Sequence, residues 1–286
     1  MRSKASFVTF LVLFTFGLGS TDNSHAQEIQ EFIEITLTDG STFVGTILSE
    51  SETEISFRTT LGLEFTFLVA DVRSRRTIRG RISQKGLMKL DPTSSRLFFA
   101  ATGRPLKKGG IYLANYEIVF GLIAYGVSEN VIVSGGTSLF PGAASQLIYI
   151  APKLTLYNKN DRSFAVGVLA GRIASENGGG GIVYGVSTIG PSNRAVSVGA
   201  GFLFGGGDVN STPIILVGLE RQLSSKLKVI SENYLFFFDE TLILVSAGLR
   251  FIGGKLTTDL AFVSIITSDV IAPWLPWGSF TYHFGK

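Results

Sequence analysis

Between Ile111 and Phe140 the chain reads IYLANYEIVFGLIAYGVSENVIVSGGTSLF, and its apolar residues recur with a period of two. The even positions carry Tyr112, Ala114, Tyr116, Ile118, Phe120, Leu122 and Ala124, while the odd ones include Asn115, Glu117 and Gly121. After a turn at Val127–Asn130 the alternation resumes, with Val131, Val133 and Leu139 on one face and Ser134, Gly136 and Ser138 on the other. Successive side chains of an extended strand point to opposite faces, so this pattern predicts strands with one apolar and one polar side. Strands of about 10 residues built this way suit a closed barrel with hydrocarbon outside and polar groups inside. The segment is therefore expected to be a membrane β-hairpin, with the even positions of its first strand turned to lipid.

The same alternation continues to the end of the chain. Short turn signals fall at Ser128–Asn130, Asn158–Asp161, Gly190–Asn193, Ser224-Ser225 and Gly253-Gly254, a spacing of roughly 32 residues that fits a repeating hairpin. Longer connections lie between them, at Pro141–Ser145, Ala174–Gly179, Gly205–Ser211 and Ser268–Pro273, with Asp239-Glu240 as a short exception. This predicts an antiparallel transmembrane β-barrel over residues 96–286 with about 12 strands, running from Arg96–Thr102 and Ile111–Gly126 to Leu275–Phe284. The count falls to about 10 if the first strand is discounted. An even count puts both ends of the barrel on one side and makes Gly103–Gly110 an external loop.

The region before the barrel reads differently. Residues 1–26 have the layout of a secretory signal: Arg2 and Lys4, an apolar core from Phe7 to Leu18, and a small-residue end at Ser24-His25-Ala26. Residues 27–73 predict a small all-β domain of four or five short strands around the Asp39-Gly40 turn, with strongly polar outer faces. Residues 74–95 form a basic stretch. Together with Arg73 it holds Arg75, Arg76, Arg79, Arg81, Lys85 and Lys89, and it is expected to be a solvated linker. Asp91-Pro92 closes it as a turn.

Composition sharpens this picture. The hydrophobic fraction is 45% and the mean hydropathy +0.34, yet beyond the leader no apolar run reaches the roughly 18 residues of a spanning helix. The 34 glycines and 23 phenylalanines suit strands better than helices. With no cysteine there is no disulfide, thiolate metal site or lipidated N-terminal Cys. Removal of the leader leaves 23 basic and 21 acidic residues, a balance that argues against a nucleic-acid partner.

Two resemblances follow. The first domain, with Asp39, Gly40 and Gly45 at its centre, resembles Sm-like or SH3-like small barrels. From Arg96 onward the hairpin pattern, including the Tyr125–Asn130 turn, is similar to porin-like bacterial outer-membrane barrels. Within the last strand Gly278, Phe280, Tyr282 and Phe284 resemble the C-terminal signal recognised by the outer-membrane barrel assembly machinery, although Gly285 and Lys286 follow the last aromatic. The resemblance implies outer-membrane lipid and that machinery as partners, and a first domain in the periplasm with its own partner there. Trp274 and Trp277 sit where an interfacial aromatic belt would be.

Tracing each strand's alternation puts Glu117, Lys153, Glu220, Arg250, Asp259 and His283 on the inner face. A tight turn at Gly253-Gly254 would bring Arg250 diagonal to Asp259, within reach of a charge-assisted hydrogen bond. Lys228 and Glu232 share a face, but Ser231 and Asn233 interrupt the other, which suggests a bulge. The inner charges fit either a selective constriction or a packed lumen of paired charges. An enzyme is not expected: His25 leaves with the leader, His283 is alone, and no nucleophile elbow, paired-His metal spacing or phosphate loop occurs. No cofactor or metal is implied. The expectation is an outer-membrane barrel serving as a narrow pore for small polar solutes or as a structural membrane protein. The alternative is a secreted soluble β-protein holding a hydrophobic ligand inside.

Overall fold

The computed structural model describes residues 30–83, 86–175, 178–238 and 240–284. The expected leader at 1–26 lies outside the described residues, as do Lys85, Asp239 and the final Gly285-Lys286. The chain divides into two compact units, one ending at Leu87 and one running from Met88 to the C-terminus.

The first unit is an antiparallel sheet built from β1 (Gln30–Leu37), β2 (Thr42–Glu50), β3 (Glu54–Thr59), β4 (Glu64–Leu68), β5 (Val72–Ser83) and β6 (Gly86–Lys89). Its order is β4-β3-β2-β1-β5-β6. Ile35, Ile55, Phe57 and Phe67 form the core. The β1–β2 turn uses Gly40 at φ 89°, a backbone region open to glycine, and the Asp39 carboxylate accepts the Ser41 N–H at 2.8 Å. Among the described residues no ladder joins β4 to β5, so the sheet stays open where a small closed barrel was expected.

The expected basic linker is a strand. β5 pairs with β1 from Gly80 opposite Gln30 to Val72 opposite Leu37. Two of its arginines are matched by acids: Arg75 donates to Glu50 of β2 at 2.6 Å, and Arg76 pairs with the buried Glu34 of β1. A run of one sign reads as solvated in the sequence, and only strand pairing shows where its counter-charges come from.

The second unit is a barrel. Its wall comprises β7 (Ile111–Tyr116), β8 (Phe120–Gly126), β9 (Val131–Ser138), β10 (Leu147–Ile150), β11 (Lys153–Lys159), β12 (Arg162–Ile173), β13 (Gly180–Ile189), β14 (Arg194–Gly205), β15 (Asp208–Ser224), β16 (Leu227–Phe237), β17 (Thr241–Ile252), β18 (Leu256–Ile266) and β19 (Leu275–Phe284). β10 and β11 both lie between β9 and β12, as one strand interrupted at Ala151-Pro152, where proline has no N–H for the ladder. Pairing of β19 with β7, from Ser279 opposite Tyr116 to Phe284 opposite Ile111, closes a 12-stranded cylinder.

The expected number of strands is right, but two of them were misplaced. Ile111–Gly126 is a hairpin, folded back at Glu117 and Ile118, both at positive φ. Arg96–Thr102 makes only one bridge, between Arg96 and Ala101, and lies inside the barrel. Gly103–Leu106 follows it inside, and the exposed Lys107–Gly109 reach the end of the barrel beside Gly126, so the segment is not a loop at the opposite end. The expected Gly205–Ser211 loop is a tight turn at Gly206-Gly207 that lets β14 and β15 run on.

Facing is also reversed in the first hairpin. Tyr112, Ala114, Tyr116, Leu122 and Ala124 are buried in the lumen, while Leu113, Ile123 and Tyr125 are exposed. Both faces of these strands are apolar, so periodicity alone could not say which one is inside. Elsewhere the alternation holds. Leu260 and Phe262 are more than half exposed on β18, whereas Asp259 between Leu260 and Thr258 is buried. Trp274 is on the outside, but Trp277 faces inward, paired with the buried Ala261. No bulge forms around Ser231 and Asn233. The β16–β17 register is the same on both sides of a gap at Glu232 and Asn233, where the Ser246 N–H donates to Asn233 Oδ1 at 3.2 Å and the Asn233 amide donates to Ser231 Oγ at 2.9 Å. A closed wall with hydrocarbon-compatible side chains outside and ionised ones inside is a transmembrane β-barrel of the outer-membrane type.

Candidate functional site

The lumen is occupied by the chain's own segment 90–110. It enters at the end of the barrel that carries both barrel termini, where the Lys89 carbonyl accepts from Gln222 Nε2 at 3.0 Å. It then turns back in a tight hairpin whose tip is Leu97–Ala100, closed by the Leu97 N–H donating to the Ala100 carbonyl at 2.8 Å and the Thr102 N–H to Ser95 at 3.0 Å. The return limb ends against β8, where the Gly126 N–H donates to the Gly110 carbonyl at 2.9 Å. Leu97 and Phe98 are buried with Ala165, Val186, Leu216, Ile230 and Ala261 of the wall. Their burial supplies the apolar part of the seal.

Ionised groups supply the rest. Glu220 from β15, Lys228 from β16, Arg250 from β17 and Asp259 from β18 point inward from four adjacent strands. The plug adds Asp91, Arg96 and Arg104. Together they make a chain of alternating sign. Arg104 pairs with Glu220, and Lys228 Nζ reaches Glu220 at 2.9 Å and Asp91 at 2.6 Å. Arg250 Nη1 reaches Asp91 at 3.0 Å and its Nε reaches Asp259 at 2.7 Å; Arg96 Nη1 completes the series on Asp259 at 3.2 Å. Burying so many charges is tolerable only because each faces an opposite one and further donors.

Arg250 is the centre of this arrangement. Besides the two carboxylates it donates to the plug carbonyls of Thr93 at 3.1 Å, Arg96 at 3.3 Å and Leu97 at 2.5 Å. Planar guanidinium geometry permits that fan of bonds, which an ammonium could not make. Arg250 and Asp259 stand directly opposite each other, not diagonally, because Ile252 pairs with Thr257 and four residues, Gly253 to Leu256, lie between them. Burial by itself pushes the Asp91 carboxyl up, but Lys228 and Arg250 outweigh it and hold Asp91 well below the ordinary carboxylate range.

Two further groups clamp the plug without a partner of opposite charge among the described residues. Lys153 Nζ donates to three plug carbonyls: Ser95 at 3.1 Å, Thr102 at 2.8 Å and Arg104 at 2.7 Å. The Glu232 carboxylate accepts the N–H groups of Phe99 at 3.0 Å and Ala100 at 3.2 Å, and the Tyr234 hydroxyl at 2.7 Å. His283 meets the hydroxyl of the buried Thr93 at 2.8 Å and packs against Tyr112.

Five of the six residues expected in the lumen are thus there: Lys153, Glu220, Arg250, Asp259 and His283. Glu117 is not among them. It sits in the β7–β8 turn, where its carboxylate accepts the Gly278 N–H at 2.5 Å. Of the terminal-strand residues, Phe280, Tyr282 and Phe284 are exposed on the outer face. Asp91, Arg96 and Arg104 escaped sequence reasoning because they lie on a segment taken for a linker, a strand and an outer loop. The usable signal was Lys228 and Glu232 on one inward face, a charge pattern that asks for partners.

The chain matches no protein-family model and no curated protein. Among solved structures it is similar to the KdgM porin, at 9% identity and a TM-score of 0.49, covering 62% of this chain and 99% of that one. It is also similar to outer-membrane expressed OmpT of Vibrio cholerae, at 13% identity and a TM-score of 0.35, covering 90% and 96% of the two chains. For OpdQ of Pseudomonas aeruginosa the identity is 8% and the TM-score 0.36, again covering 90% and 96%. At these identities the likeness extends no further than barrel architecture.

Beyond the plug tip the lumen changes character. A cavity of about 160 Å³ lies there, walled by Leu122, Ile132, Leu169, Ile214 and Leu216 together with tyrosines 116, 149, 184 and 234. Its floor is made by plug residues, among them Arg96, Phe99 and Ala100. The lumen therefore has a charged, plugged half and a smaller aromatic half.

Proposed function

We propose that this chain is an outer-membrane conduit for small polar solutes that is closed at rest by its own segment 90–110. One observation carries this reading. The lumen is filled by a separate segment held through carboxylate, guanidinium and ammonium contacts, not by strands of the wall. Polar contacts of that kind exchange with water and solute, so the plug can leave without breaking a single wall ladder. The apolar outer face supports an outer-membrane location. The chain enters the lumen at the end of the short turns, which outer-membrane barrels place in the periplasm, so the first unit is assigned to that side. Gly278, Phe280, Tyr282 and Phe284 are assigned to recognition by the barrel assembly machinery, which a Phe284→Asp variant inserting less efficiently in cells would support.

Planar-bilayer recording on refolded protein tests the conduit. Wild type is expected to stay closed with rare openings, and a variant with residues 96–101 replaced by a Gly-Ser linker to conduct steadily. Steady conductance from wild type would remove the resting plug, and a silent linker variant would remove the pore.

A further inference from the structure

The plug's ionised groups meet the wall in a fixed pattern. Lys228 and Arg250 stand directly opposite each other on β16 and β17. Lys228 Nζ and Arg250 Nη1 converge on one oxygen, Asp91 Oδ2, at 2.6 and 3.0 Å. Each of these wall cations also keeps a wall acid, Lys228 holding Glu220 at 2.9 Å and Arg250 holding Asp259 at 2.7 Å. On the same two acids sit the plug's own cations, Arg104 on Glu220 and Arg96 on Asp259. The wall thus has an anion seat with a cation seat on either side, and the plug fills all three.

Without the plug the wall is balanced in sign. Among the described residues its buried ionised side chains are Lys153, Lys228 and Arg250 against Glu220, Glu232 and Asp259, three of each. Such a wall has no net charge with which to draw in a simple ion. A lone anion in the seat of Asp91 gains Lys228 and Arg250 but lies beside Glu220 and Asp259, and a lone cation on either acid meets the reverse. The seats are close together: Asp91 Oδ2 and Glu220 Oε2 are both bonded to Lys228 Nζ, so one small molecule spans them. A solute carrying both signs satisfies both seats, and the others are discriminated against by their mismatch. Its carboxylate, held by an ammonium and a guanidinium, makes charge-assisted bonds of about twice the strength of neutral ones.

We propose that the unplugged lumen binds small zwitterions of the amino-acid and short-peptide class, with the carboxylate between Lys228 and Arg250 and the ammonium on Glu220 or Asp259. The plug is a built-in mimic of that solute. This rests on the conduit reading and deepens it by naming the class of polar solute. In the closed state Asp91 occupies the anion seat, so the zwitterion binds the open state and raises its population. With no affinity for the closed state, the open-to-closed ratio rises about elevenfold at a concentration ten times the dissociation constant.

Planar-bilayer recording of the refolded full-length wild type tests this, with glycine, acetate and glycinamide added at equal ionic strength and neutral pH. The three are a zwitterion, an anion and a cation of similar size. Glycine is expected to raise the open fraction with concentration, by roughly tenfold well above its dissociation constant, and the other two to leave it nearly unchanged. Lys228→Gln removes half of the anion seat and is expected to lose the glycine response. If that variant does not fold, Glu220→Gln, which takes away a cation seat and leaves the wall positive, is expected to shift the response from glycine toward acetate. No response to glycine in wild type, an equal response to acetate or glycinamide, or a glycine response that both variants keep would overturn the proposal. The linker variant at residues 96–101 separates the two readings. If it conducts while wild type ignores glycine, the zwitterion site alone fails; if it is silent, the conduit fails and the site with it.

Discussion

Leu97 at the plug tip stands where a side chain on Gly218 of β15 would be: a Cβ built on Gly218 would lie 2.2 Å from Leu97 Cδ1. The wall thus has a slot at the one point where the plug inserts its fully buried leucine. Seating of the plug depends on that missing side chain as much as on the charges around it.

A larger residue in the slot is expected to unseat the plug and leave the cylinder intact. Gly218→Leu should conduct steadily while still migrating as a folded barrel before boiling. Leu97→Ala removes the knob and is expected to cost about 2–5 kcal/mol as a buried large-to-small change. Because the two side chains compete for one volume, the double variant should be less disturbed than the sum of the singles. Strict additivity in denaturant unfolding would refute the fit.

Arg250 joins two carboxylates and three plug carbonyls, so its loss strands buried groups on both plug and wall. Arg250→Met is expected to destabilise the barrel by about 3–5 kcal/mol, the usual cost of breaking a buried pair. Arg250→Lys should recover only part of this, since an ammonium cannot span Asp91 and Asp259 together with the carbonyls. Urea titration in detergent measures both.

Asp91 gives the plug an acid limit. A carboxyl held low in the folded state adds stability above its unfolded value, near 3.9, and loses it as pH falls through the folded one. Plug seating is therefore expected to be level from neutral pH down to about 4 and to weaken below that, with openings becoming more frequent. Asp91→Asn should raise opening at neutral pH and flatten the acid limb. Identical acid profiles for the two proteins would show that another group sets the limit.

The outer face makes its own prediction. Leu260 is exposed midway along β18, and Leu260→Arg is expected to cost about 2–4 kcal/mol of folding into bilayers, as for a cation near the midplane. A change of a few tenths would mean that this face does not meet hydrocarbon.

The alternation of side chains settled much of this protein in advance. Because a strand's period is two, Lys153, Glu220, Arg250 and Asp259 could be placed inside from the sequence alone, with Phe280 and Tyr282 on the opposite face of theirs. The Arg250–Asp259 pair was legible for the same reason, since one tight turn joins their strands. Tertiary structure decided what periodicity does not encode. Tyr112 and Tyr116 went inside because both faces of their strand are apolar and only the neighbouring plug and cavity distinguish them. Asp91, Arg96 and Arg104 lie outside the strands of the wall. Their roles follow from closure of β19 on β7, which encloses the entering segment so that Glu220, Lys228, Arg250 and Asp259 of the consecutive strands β15 to β18 face it from the wall.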